Sequence, residues 1–116
     1  MLFLVIFLMA GCTREEQSQE NFINSFRAEE AGTYHVYLFH DDGVESENLI
    51  AEFNVRFSIQ EHTQVREAGT VDSTLNDINY EEFLDKELPQ ITVFDDSDLL
   101  FIDNNVDSFI EFLNEN

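Results

Sequence analysis

The chain opens on an unbroken apolar run, Leu2 to Ala10, and then alternates short apolar groups with acidic and polar ones. The opening run is too short for a membrane-spanning helix, which takes about 20 apolar residues, but it suits the core of a removable secretory segment, about 7–15. Thr13 to Gln19 is polar and without period, as a short tether would be. Over Asn21 to Ala31, Phe22, Ile23 and Phe26 share one helical face and Gly32 follows, which predicts a short amphipathic helix. Tyr34 to Phe39 is a β-branched and aromatic run left through Asp41-Asp42-Gly43, and is expected to be a buried central strand.

From Ser46 to about Glu61, Leu49, Ile50, Phe53 and Phe57 recur at helical spacing, with Ser46 as N-cap and Glu47 in the first turn. Phe53, Val55, Phe57 and Ile59 also alternate, so a strand is the second reading of the same stretch. Gln64 to Asp72 reads as a strand around Gly69. Tyr80 to Glu87 reads as a helix with Phe83, Leu84 and Leu88 inward, halted by Pro89. Ile91–Phe94 and Leu99–Ile102 predict a hairpin turned by Asp95-Asp96-Ser97-Asp98. Asn105 then caps a helix carrying Val106, Phe109, Ile110 and Leu113 on one stripe. An alternating first half and an antiparallel pair at the end imply an α/β fold, a mixed sheet with helices on both faces.

Composition narrows the picture. A chain of 116 residues with 43% apolar content and twelve Phe supplies one small domain with one packed interior, over about residues 21–116. The formal net charge of −20 excludes nucleic acid and anionic lipid surfaces as partners, since both are bound by neutralising phosphates with Lys and Arg. Cys12 is the only cysteine, so no intramolecular disulfide forms and no cysteine-ligated zinc is built. Phosphate-binding glycine loops and the Gly-x-Ser-x-Gly elbow are both missing, and no cofactor is expected.

Met9-Ala10-Gly11-Cys12 resembles a bacterial lipobox. The resemblance implies that residues 1–11 are a lipoprotein signal peptide and that Cys12 carries a lipid. Residues 12–20 would then be the lipidated tether, and the protein would sit on the extracytoplasmic face of the cell membrane. The match departs in Met9, where Leu is more usual, and in the lack of Lys or Arg before the apolar run, which leaves room for a start further upstream. The alternative is a cytosolic protein with an apolar N-terminal helix and one buried cysteine.

The element order, with Leu88-Pro89-Gln90-Ile91-Thr92-Val93-Phe94, resembles the thioredoxin-like fold, in which a cis proline opens the strand after the third helix and a hairpin and final helix follow. The resemblance implies that fold for about residues 22–116, and a cis Pro89. It departs where thioredoxins carry Cys-x-x-Cys, just after the first central strand. The chain has His40-Asp41-Asp42-Gly43-Val44-Glu45-Ser46-Glu47 there, and the redox activity is not expected. Size, lipobox and layout also resemble small peptidoglycan-associated lipoproteins of Gram-positive bacteria.

Two function classes remain. In the first, a non-catalytic, lipid-anchored domain binds a cell-wall component or envelope protein through an edge made by His40, Asp41, Asp42, Glu45, Glu47 and Pro89. In the second, His40 and the neighbouring carboxylates serve a cation-dependent enzyme or a metal-binding protein. The same residues also fit a solvated acidic loop, with Asp41-Asp42-Gly43 as its turn. Asp95 to Asp98 lacks the glycine and terminal glutamate of a calcium loop and is expected to be a turn. His35 is expected to be a satisfied, half-buried strand residue and His62 a cation at a helix end.

Overall fold

In the computed structural model, which describes residues 18–75 and 78–115, helix α1 covers residues 18–26. It is followed by β1 (Tyr34–His40), α2 (Val44–Arg56), β2 (Val65–Asp72), α3 (Tyr80–Leu84), β3 (Gln90–Phe94), β4 (Leu99–Asp103) and α4 (Val106–Glu115). The apolar leader, Cys12 and the first part of the expected tether lie outside the described residues. Residues 18–20, read from sequence as the end of that tether, belong to α1. No helix among the described residues is long and apolar enough to cross a membrane.

The strands form one sheet in the order β2-β1-β3-β4, with β2 parallel to β1, and β3 antiparallel to both β1 and β4. Side chains alternate across it. Val36 and Leu38 of β1, with Ile91 and Val93 of β3, meet Leu49 and Phe53 of α2 and Phe109 and Leu113 of α4 on one face. Phe39 and Phe94 meet Phe22 of α1 and Tyr80 and Leu84 of α3 on the other. The apolar runs of β1 and β3 therefore reflect burial on both faces, and the expected mixed sheet with helices on both sides is what forms.

The direction of α1 follows from its end contacts. Gln19 Nε2 donates to the Phe83 carbonyl at 3.4 Å. At the other end, Ala28 N donates to the Asp95 carbonyl at 2.8 Å and Arg27 Nη1 to the Asp96 carbonyl at 3.3 Å. Thus α1 starts beside α3 and finishes at the β3–β4 turn. Asp95 makes that turn, its Oδ1 accepting from Ser97 N at 2.7 Å and Asp98 N at 2.6 Å.

Three helix boundaries differ from expectation. The first helix ends at Phe26, and Ala28 leaves it to bond the hairpin. The second starts at Val44 and stops at Arg56, because Phe57 turns to extended backbone and its ring packs on Phe53 and Phe109, at 5.1 and 5.2 Å between centroids. The strand reading of that stretch fails, since Val55 is 86% exposed between buried Phe53 and half-buried Phe57. The third helix is only five residues long and stops where Asp85 takes the left-handed conformation (φ 56, ψ 35), well before Pro89. In α4 the expected cap holds, with Asn105 Oδ1 accepting from Ser108 N at 3.0 Å.

Candidate binding edge

Strand register gathers the candidate residues at one end of the sheet. His40 is the register partner of Asp72, Phe39 of Gln90, and Ile91 of Asp103, so the end of β1, the start of β3 and the end of β4 meet there. The loop entering α2 and the loop from Asp85 to Pro89 close over this end. The Leu88-Pro89 bond is cis, and Pro89 is buried.

Asp41 organises the first loop. Its Oδ1 accepts from Ser46 Oγ at 2.7 Å and from Gly43 N at 3.0 Å, while its own N donates to Ser46 Oγ at 3.1 Å. Ser46 is fully buried in the first turn of α2. The expected Ser46 N-cap is therefore replaced by a brace in which Asp41 spans the helix start, with Gly43 at the N-cap position. A Cβ on Gly43 would come within 3.2 Å of Asp41 Oδ1, so the tight turn favours glycine.

The Ser46 hydroxyl, and then the Gly43 amide, hold the Asp41 carboxyl below the usual carboxylate range. A depressed folded value means that the ionised brace contributes fully above the unfolded value, about 3.9, and is lost as pH falls through the lower folded value. Asp41→Ala should reduce stability by about 0.5–2 kcal/mol, the range for a lost helix cap, and should flatten the acid limb of a stability profile below about pH 4. Urea titrations of both proteins between neutral pH and pH 2 check this. An unchanged acid limb would show that Asp41 does not brace the loop.

His40 Nδ1 donates to the Asp41 carbonyl at 3.0 Å. Asp72 is held below the usual carboxylate range, mainly by the Thr74 hydroxyl and then the Thr74 amide. Asp42 and Glu47 are exposed. Among the described residues, no three His, Cys, Asp or Glu side chains are placed to hold a metal ion. With Asp41 committed to the loop, cation-dependent chemistry at His40 finds no support.

Two shallow cavities share Glu45 and Asn104. One, of about 370 Å³, is also lined by Asn48, Leu49, Glu52 and Pro89. The other, of about 360 Å³, is lined by Asp85, Lys86, Glu87, Leu88 and Gln90. Of the expected edge residues, the structure brings Glu45 and Pro89 together. His40, Asp41, Asp42 and Glu47 do not line either cavity. Gln90, Asn104, Asp85 and Glu87 were not singled out from sequence. For Gln90 a signal existed, a long polar side chain at the head of the apolar run of β3, where burial demands hydrogen-bond partners.

The other histidines make local contacts away from this edge. His35 Nδ1 donates to the Phe26 carbonyl at 3.2 Å and lies 3.4 Å from Glu67 Oε2. Tyr37 donates to the same carboxylate at 2.8 Å, and burial, then this bond, push its phenol well above the usual range. A cavity of about 520 Å³ beside His35 lies at the opposite end of the sheet. His62 stacks on Phe57, 5.6 Å apart and 11° from parallel, beyond a short 3-10 turn and not at the end of an α-helix.

No protein-family model matches the chain, and no curated protein does. Solved thioredoxin structures are similar to it. Thioredoxin f2 of Chlamydomonas reinhardtii is 18% identical with a TM-score of 0.54, covering 83% of this chain and 86% of its own. Mitochondrial thioredoxin 3 of Saccharomyces cerevisiae is 14% identical with a TM-score of 0.58, covering 86% and 89%. The thioredoxin of Malassezia sympodialis is 7% identical with a TM-score of 0.52, covering 75% and 77%. At these identities the likeness concerns the backbone alone, and with the cis proline opening β3 it makes this mixed sheet with helices on both faces a thioredoxin-like fold.

Proposed function

We propose that this chain is a non-catalytic, lipid-anchored domain on the extracytoplasmic face of the cell membrane. It binds a cell-wall component or an envelope protein through the end of the sheet that carries Glu45 and Pro89. The observation that carries the reading is the loop from His40 to Glu47. By the resemblance drawn from the sequence it occupies the place of the two thioredoxin thiols, yet it holds no sulfur, and its central carboxylate is spent on bracing α2. Thiol–disulfide exchange needs an attacking thiolate, and Cys12 is the chain's only thiol.

The anchor rests on Met9-Ala10-Gly11-Cys12. Cys12→Ala should shift the protein from the membrane pellet to the soluble or secreted fraction and abolish incorporation of a fatty-acid label. The same material should reduce insulin no faster than buffer. Unchanged membrane retention and labelling would sink the anchor, and insulin reduction above background would sink the non-catalytic reading.

A further inference from the structure

We propose that the cavity beside Gln90 binds a primary ammonium group carried on a flexible chain. The proposal rests on reading this end of the sheet as a binding edge, and it names the ligand chemistry.

Gln90 begins β3, directly after Pro89, and is 6% exposed. Its Nε2 donates to the Glu87 carbonyl at 2.8 Å, and this fixes the amide's orientation, because a carbonyl oxygen only accepts. Among the described residues, Gln90 Oε1 is then left as a buried acceptor with no partner. Orphans of this kind are rare, and each calls for an explanation. The residue lines a cavity whose wall also carries the carboxylates of Glu45, Asp85 and Glu87, against the single cation of Lys86.

An unpaired amide oxygen on a residue that lines an acidic cavity asks for hydrogen-bond donors and positive charge. A primary ammonium supplies three N–H groups, a unit charge and no acceptor. An anion would be repelled, and a neutral carbonyl would leave Oε1 as it is. A metal ion needs several convergent ligands, which the described residues do not provide. About 360 Å³ lies at the lower end of the range for ligand pockets, enough for a side-chain-sized group and its stem. Oε1 is shielded from bulk water, so binding as proposed includes a local shift of the cavity wall.

The test uses the full chain, ¹⁵N-labelled in detergent micelles, titrated with Nα-acetyl-lysine methylamide at fixed ionic strength. Parallel titrations use the same probe acetylated at Nε, and calcium chloride. The expected result is saturable shifts at the Gln90 side-chain amide and the 85–88 backbone amides with the ammonium form alone. Glu45→Gln should weaken binding about two- to five-fold, as loss of an exposed ion pair does, and Gln90→Met should abolish it. Glu45 is exposed, so its variant stays informative if Gln90→Met disturbs the fold. A lack of saturable shifts, an equal response to the acetylated probe or to calcium, or unchanged affinity in Glu45→Gln overturns the proposal. Retention of the protein on cell-wall material without an ammonium response overturns the ligand assignment and leaves the binding reading standing. An ammonium response without wall or partner retention does the reverse.

Discussion

Replacing Phe109 by Ala should lower the free energy of unfolding by about 3–5 kcal/mol, the range for deleting a fully buried aromatic side chain. Phe109 is 0% exposed at the middle of the α4 stripe. Its ring lies 5.6 Å from Phe53, 5.2 Å from Phe57 and 6.3 Å from Phe101, so it joins α2, the turn after α2, and β4. Those three rings cannot all move in to fill the space, because Phe53 and Phe57 are already stacked on each other. The lost transfer energy is therefore compounded by a residual cavity. Domains of this size are stable by about 5–15 kcal/mol, so the variant should lose a large share of its stability. Urea unfolding followed by circular dichroism checks the figure, and a loss under half a kcal/mol would mean that α4 does not dock.

The second large effect belongs to the opposite face. Phe22 attaches α1 together with Phe26, which lies 5.1 Å from Phe39 and 5.7 Å from Phe94; the Phe22 ring is 4.7 Å from and parallel to Phe83, and 5.9 to 6.3 Å from Phe39, Phe94 and Tyr80. A helix as short as α1 has little stability of its own, so packing must hold it. Phe22→Ala should cost about 3–5 kcal/mol and should speed hydrogen exchange in α1 ahead of the sheet. Phe22→Leu, nearer in volume, should recover most of the loss. If α1 amides in Phe22→Ala exchange no faster than those of β1, the helix is held by something other than this ring cluster.

Sequence revealed the elements whose pattern and burial agree. The stripe of Val106, Phe109 and Leu113 placed α4, and the apolar runs of β1 and β3 announced strands covered on both faces. Apart from the Asn105 cap of α4, helix ends were not legible, because tertiary contacts set them. Phe57 leaves α2 to pack on Phe109, and Asp85 stops α3 by its own left-handed backbone, with no glycine or adjacent proline to signal it. At the candidate edge, Ser46 read as the N-cap of α2, but nothing in the sequence signalled that its hydroxyl donates to Asp41 instead. The orphaned oxygen of Gln90 depends on where the Glu87 carbonyl points, which no pattern of residue types encodes.

The course of α1 sets how an anchored molecule would stand. Because α1 starts beside α3 and ends at the far hairpin, its first residue emerges at the same end of the sheet as the cavities around Glu45 and Gln90. From Cys12 to Ser18 is 18 − 12 = 6 residues, a reach of at most about 21 Å when fully extended. With the proposed lipid at Cys12, that edge would lie within this reach of the bilayer. A chain of net charge −20 is pushed off an anionic surface, at a range of about 8 Å in physiological salt. With the proposed lipid in place, a slender partner such as a single extended strand would reach that edge from the side more readily than a bulky one.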